Sequence, residues 1–254
     1  MIAGLMAGIL AFGVGKVWGE PPVAAAIAIE EAGSAAQPTA EAPHDHGHAE
    51  AIAPAGHSHG DDEASISRDT QAGIGLLTGM AVFGAALGGL FALAFALVQG
   101  RFSHLSAQAT AAAMALIGYV TVVLVPFLKY PANPPAVGHG ETIGLRTQMF
   151  FAMMVLSLLA AVIAVAVARA GRDRWRSGLM GCATFIALVV IAGSALPVIS
   201  EVPASFPADL LWQFRTIALI VQAVLWAGIG LFFGLLVEKF ATEPVVGGRV
   251  IARS

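Results

Sequence analysis

The chain has 254 residues, 57% of them hydrophobic and 11% charged, with a formal net charge of -3 and a mean hydropathy of +0.81. A soluble domain carries roughly 25% charged residues, so this composition excludes one and points to an integral membrane protein surrounded by lipid. The small net charge, with no basic run beyond the arginines around Arg172, argues against a nucleic-acid partner.

Met1 to Val17 is apolar and glycine-rich, with Gly4 and Gly8 one helical turn apart. It predicts a first membrane helix over residues 1–18. No basic region leads it, and Gly19-Glu20-Pro21-Pro22 follows where a cleaved signal would carry small residues, so it reads as a retained span.

From residue 19 to residue 70 alanine, proline, glycine and acids replace leucine, valine and phenylalanine. Such a segment buries too little apolar surface to offset its chain entropy, so most of it is expected to be a disordered outer loop. A short surface helix from Val23 to Glu31 is expected within it, begun by the prolines. His44, His46 and His48, then His57 and His59, alternate along this loop beside Asp45, Asp61, Asp62 and Glu63. Imidazoles beside carboxylates on a flexible chain suit zinc, nickel, cobalt and copper alike. The same composition also occurs as low-complexity decoration of a solvated loop.

Five further spans are predicted, from Gly73 to Val98, Ser106 to Phe127, Thr147 to Ala168, Gly178 to Ile199 and Trp212 to Val237. The fold class is therefore all-α, a polytopic bundle of six transmembrane helices. The last five form a unit over residues 71–238, and a tail follows over 239–254. The single Cys182 lies inside an apolar run and reads as a small packing residue. Gly75/Gly79, Gly84/Gly88 and Gly230/Gly234 have the small-xxx-small spacing that lets helices approach closely. Thr78, Gln108, Thr121, Gln148, Thr184, Ser194 and Gln222 are uncharged and expected to bond from helix to helix. No span carries a carboxylate at mid-depth, which weighs against a self-contained proton-coupled pump.

Arg169, Arg172, Arg174 and Arg176 share one short connection, the strongest positive-inside signal in the chain, so that connection is expected to be cytoplasmic. Alternation then puts Arg101, Lys239, Arg249 and Arg253 on the same side and makes both termini cytoplasmic. Lys16, Arg68, Lys129, Arg146 and Arg215 fall outside, mostly at span ends where long side chains snorkel.

Three unusual segments consequently share the outer face: the histidine loop, the connection from Lys129 to Arg146, and the stretch from Ser200 to Arg215. In Phe127-Leu128-Lys129-Tyr130-Pro131-Ala132-Asn133-Pro134-Pro135 three prolines fix φ and remove donors. The chain is expected to leave its helix at about Phe127 and to form a stiff loop. Lys129 and Tyr130 also suit a plain interface anchor. Ser200 to Arg215 carries Glu201 and Asp209 before an aromatic pair and Arg215, and reads either as a re-entrant turn feeding the last helix or as a headgroup belt.

Gly19-Glu20-Pro21, the proline run from Phe127 to Pro135, and Glu201-Val202-Pro203 through Phe206-Pro207-Ala208-Asp209-Leu210-Leu211-Trp212-Gln213-Phe214-Arg215 resemble the CbtA family of predicted bacterial cobalt transporter subunits. The resemblance covers nearly the whole chain, with residues 33–69 as an elaboration of its own. It implies cobalamin-linked cobalt uptake, a bacterial inner-membrane location and a small single-span partner, CbtB. On this reading the chain moves a divalent ion, cobalt, inward and holds no permanent cofactor. The histidine tract gathers ions, and Glu20, Glu201 and Asp209 offer oxygen ligands at the mouth. Lys129 and Arg215 restrain those carboxylates when no ion is bound, with Pro131 and Pro134 stiffening the loop. Two rival readings stay open: a metal-binding receptor or assembly subunit that does not transport, and a membrane enzyme with its site in the outer loops. Against the enzyme, no nucleophile stands beside a base and no hydrolase or zinc-protease motif occurs.

Overall fold

The computed structural model describes residues 1–35, 67–101, 105–138 and 140–242. Six helices long and apolar enough to cross a membrane run through them, and no strand occurs among the described residues. They are α1 (residues 2–35), α2 (Arg68–Val98), α3 (Ala107–Lys129), α4 (Ile143–Ala170), α5 (Arg174–Ala195) and α6 (Ala208–Thr242). Residues 36–66, with all five tract histidines, and the tail from 243 lie outside the described residues.

Local chemistry explains the boundaries. The Ser67 hydroxyl accepts from the Thr70 amide ahead of α2, Ser106 from Ala109 ahead of α3, and Asp173 from Trp175 and Arg176 ahead of α5. Each satisfies amides that the first helical turn leaves without a partner. α5 begins four residues before the expected Gly178 because of its Asp173 cap. It ends at Ala195, short of the expected Ile199, because Leu196 precedes Pro197 and is driven into extended backbone.

The expectation for residues 19–35 is corrected. In place of a break and a separate surface helix, α1 continues through Pro21 and Pro22 to Ala35. The device is a π segment at Gly15–Gly19, where the Glu20 amide reaches back five residues to the Gly15 carbonyl. Widening the turn just ahead of two residues that lack an N–H and crowd the preceding carbonyls lets the helix bend instead of stopping. α1 is therefore about 50 Å long at 1.5 Å per residue, more than the roughly 30 Å hydrocarbon core requires. α3 repeats the device. A π segment at Tyr119–Leu124, with the Val125 amide on the Val120 carbonyl, precedes Pro126. The helix then runs to Lys129, and Tyr130 leaves it at φ -129°, within two residues of the expected exit.

The helices pack in the order α2, α1, α6, α3, α4, α5. Small residues set the closest crossings. Gly4 and Gly8 of α1 face Gly84 and Gly88 of α2, where a Cβ built on Gly88 would lie 2.7 Å from the Gly4 Cα. Gly230 and Gly234 of α6 lie against Ala111, Ala115 and Gln108 of α3, and Gly228 against Ala7. Gly75 and Gly79, expected to do the same, touch no other helix: Gly79 has open space around it and Gly75 meets only Thr70. Two separate apolar clusters result. One joins α1, α2, α3 and α6 around Leu225 and Ile229. The other joins the end of α3 to α4 and α5 around Met153.

Three of the polar side chains expected to bond across helices stay on their own. The hydroxyls of Thr121, Thr184 and Ser194 donate to Ile117, Met180 and Ile191 carbonyls three or four residues back, not across a helix pair as expected. Gln108 does reach another helix, donating to Glu238. Cys182 is exposed on α5 and is not a packing residue.

Candidate functional site

The connections that follow α3 and α5 come together at one end of the bundle, and three side chains tie them. Burial of Tyr130 (3% exposed) raises its pKa above the ordinary value of 10.0, because the phenolate would be poorly solvated there. Its hydroxyl donates to the Pro197 carbonyl at 2.7 Å, so the loop after α3 is fastened to the loop after α5. Arg146, in the first turn of α4, donates through Nη2 to the Pro131 carbonyl at 3.0 Å and through Nη1 to Oε2 of Glu201 at 3.2 Å. Arg215, two turns into α6, donates through Nε to the Ala132 carbonyl at 3.2 Å and through Nη2 to Oδ1 of Asn133 at 3.0 Å.

Two guanidiniums thus bond consecutive residues of the proline loop, and one carboxylate, Glu201, belongs to the same set. The Glu201 side chain is 6% exposed, and its other oxygen, Oε1, is buried with no hydrogen-bond partner. A buried carboxylate oxygen left bare is costly, and removing one partner of a buried ion pair costs about 3–5 kcal/mol. The loop closes tightly around the pair. The Val137 amide donates to the Pro134 carbonyl at 3.3 Å, Ala136 takes φ +66° and Gly138 φ +118°. At Gly138 a side chain would be strained twice over, since its Cβ would also lie 3.1 Å from Glu201 Oε2. A cleft of about 200 Å³ opens beside these groups, lined by Tyr130, Ile143, Arg146, Thr147 and Phe150. At the opposite end, a hollow of about 350 Å³ lies between α3 and α6 near Gln108 and Gly234.

The residues singled out from sequence fall in different places. Glu201 is in the cluster, and Pro131 and Arg215 are part of it through their bonds. Pro134 shapes the loop. Glu20 pairs instead with Arg68 at 2.5 Å, joining α1 to α2, close to the same end because Gly19 neighbours Ile217 of α6. Asp209 is exposed in the first turn of α6, where a carboxylate favours the helix dipole. Lys129 stands with Nζ 5.9 Å from the Tyr130 ring centroid, an arrangement that attracts a cation to the ring face. The cation on Glu201 is therefore Arg146, neither Lys129 nor Arg215. The cation on Glu20 is Arg68. Among the described residues no three His, Cys, Asp or Glu side chains converge as a metal site, so Glu20, Glu201 and Asp209 do not form one ligand group. His44, His46, His48, His57 and His59 lie outside the described residues.

Sequence reasoning counted Arg146 only as one more outer charge. The signal available was an isolated arginine in the first turn of an otherwise apolar span, where a charge needs a partner. Chemically, the cluster offers oxygen donors from a carboxylate, carbonyls and an amide, a set suited to divalent cations. Two guanidiniums hold those donors in the structure.

A family model, CbtA, described as a probable cobalt transporter subunit, matches residues 1–238. No curated protein and no solved structure matches the chain.

Proposed function

The chain belongs to the CbtA family of probable cobalt transporter subunits, and we propose that it carries a divalent metal ion, cobalt, inward across a bacterial inner membrane with both termini cytoplasmic. The observation that carries this reading is the Glu201 carboxylate, 6% exposed, with an unpartnered oxygen at one end of a six-helix apolar bundle. A carboxylate kept there at such cost has a use that an interface anchor does not. The ion meets Glu201 at the mouth, with Glu20 and Asp209 as outlying carboxylates that attract it. Arg215 holds the proline loop, Lys129 stands at the Tyr130 ring at its start, and Pro131 and Pro134 keep it stiff. His44, His46, His48, His57 and His59 gather ions ahead of the mouth, raising their local concentration as tethered ligands do. A small single-span subunit of the CbtB type is the expected partner, and the cobalt is cargo, with no resident cofactor.

Flux of Co²⁺, Ni²⁺ and Zn²⁺ into vesicles carrying the purified chain, with and without the single-span subunit, tests the reading. Accumulation of Co²⁺ above empty vesicles is expected. Glu201→Gln should lower the rate at saturating ion at least tenfold. Deleting residues 44–59 should raise the ion concentration needed for half-maximal uptake and leave the maximal rate unchanged. That effect should fade below about pH 6, where imidazoles with a pKa near 6.5 are protonated. Binding without accumulation under every condition would replace transport with the receptor reading.

A further inference from the structure

We propose that Arg146 is a tethered cation that holds the position of the transported dication between Glu201 Oε2 and the Pro131 carbonyl, so that an ion takes up both oxygens only by displacing the guanidinium. The inference rests on the reading of Glu201 as a ligand. Its starting point is how Arg146 divides its donors. A guanidinium serving only as partner to a carboxylate favours the two-pronged pairing that uses both oxygens. Arg146 instead gives Nη1 to Oε2 of Glu201 at 3.2 Å and Nη2 to the Pro131 carbonyl at 3.0 Å, and Oε1 stays buried and unpartnered. Two oxygens from different connections converge on one positive charge, as ligands converge on a metal ion. The other carboxylate oxygen, Oε1, lies buried beside them.

Next to it Arg215 repeats the pattern, bonding the Ala132 carbonyl and Asn133 Oδ1 at 3.2 and 3.0 Å. Residues 131, 132 and 133 therefore each direct an oxygen to a built-in cation. Carboxylate, carbonyl and amide oxygens are ligands of divalent cations, and a guanidinium cannot clear such a site by losing a proton. It has to move. A dication brings twice the charge to Glu201, and the arginine it expels also releases the Pro131 carbonyl. That contact ties α4 to the proline loop, so ion binding at Glu201 loosens the loop that covers it. Gly138, at φ +118° and with a Cβ position only 3.1 Å from Oε2, belongs to the segment set free.

The test uses the full chain in detergent micelles with Co²⁺ alone as the probe. His44, His46, His48, His57 and His59 are replaced by alanine in every sample, so that the tract does not contribute. Binding is read by equilibrium dialysis. Loop motion is read from a spin label on Ala136→Cys with Cys182→Ser. The unaltered Arg146 protein should bind Co²⁺ and its label should become more mobile as ion is added. Arg146→Gln should bind at least tenfold more tightly, with a label mobile from the start and unmoved by Co²⁺, and Arg146→Lys should return affinity and label response towards those of the Arg146 protein. Glu201→Gln should abolish the binding. Loss of binding in Glu201→Gln with unchanged or weaker binding in Arg146→Gln would overturn the inference alone and make Arg146 a structural clamp. Full binding by Glu201→Gln would overturn the ligand reading of Glu201 and this inference with it. If Arg146→Gln is not monodisperse on gel filtration, the label on the Arg146 protein still decides. No change on Co²⁺ saturation overturns displacement.

Discussion

The Ser157 hydroxyl lies within reach of the Thr121 carbonyl on α3 as well as of the Met154 carbonyl on its own helix at 2.8 Å, and of the two acceptors Thr121 is the one that its own helix leaves without a donor. Thr121 lies in the π segment of α3, where the Val125 amide has gone to the Val120 carbonyl, and the next residue, Pro126, has no N–H to offer. Both side chains are about 1% exposed, so no water substitutes. A hydroxyl on α4 completes the backbone of α3, which is how a proline is accommodated inside a bundle.

Ser157→Ala should therefore destabilise the protein by about 1–2 kcal/mol, within the range for a buried hydrogen bond lost inside a membrane bundle. In a Pro126→Ala background, which restores an amide to the turn, the same substitution should cost much less. Thermal unfolding of the four proteins in detergent measures this cycle. Equal losses in both backgrounds would mean that Ser157 does not compensate for Pro126.

The glycine pairs should not behave alike. Gly88→Val should destabilise by about 1–3 kcal/mol or more, as overpacking does, because its Cβ would lie 2.7 Å from the Gly4 Cα. Gly79→Ala, with nothing within 4 Å, should stay within about 0.5 kcal/mol of the parent or gain slightly from helix propensity. Melting temperatures of the two variants distinguish a packed crossing from an open one.

Tyr130 predicts a dependence on alkaline pH. Burial raises its pKa in the folded protein above the ordinary 10.0. The neutral phenol is the form that the fold favours, and its contribution is fully present below pH 10. As pH rises beyond 10 the unfolded chain ionises first, and the contribution is lost on passing through the higher folded value. Tyr130→Phe should cost about 1 kcal/mol at pH 8 through the lost bond to Pro197. The gap between the two proteins should shrink towards pH 11. Parallel melts at both pH values check the sign.

The sidedness assigned from charge is tested by one cysteine at Ala136 and another near Gly171, at Arg172, in a Cys182→Ser background. An impermeant thiol reagent added to intact cells should label the first and spare the second. The reverse pattern would turn the whole bundle over, and with it the direction proposed for the ion.

Residue pattern alone determined the fold class and the number of membrane spans. Runs of about 20 apolar residues have one stable form in lipid, since a helix satisfies its own amides and carbonyls. The exit near Phe127 was legible for the same reason, because proline acts through its own covalent ring. Pattern also marked Glu201 and Arg215 as unusual, as charges at span ends among prolines.

Tertiary structure alone decided what those charges touch. Arg146 and Glu201 are 55 positions apart, and nothing in their spacing favours Arg146 over Lys129 or Arg215 as the partner. The choice depends on how α4 is rotated against the two loops. Prolines that break an isolated helix were absorbed in α1 and α3, because a widened turn, and for α3 a hydroxyl from a neighbouring helix, removed the penalty that local rules assign. Gly84/Gly88 and Gly75/Gly79 share one spacing in the same helix, yet only the first pair meets another helix, since spacing sets which residues share a face and packing sets what that face meets.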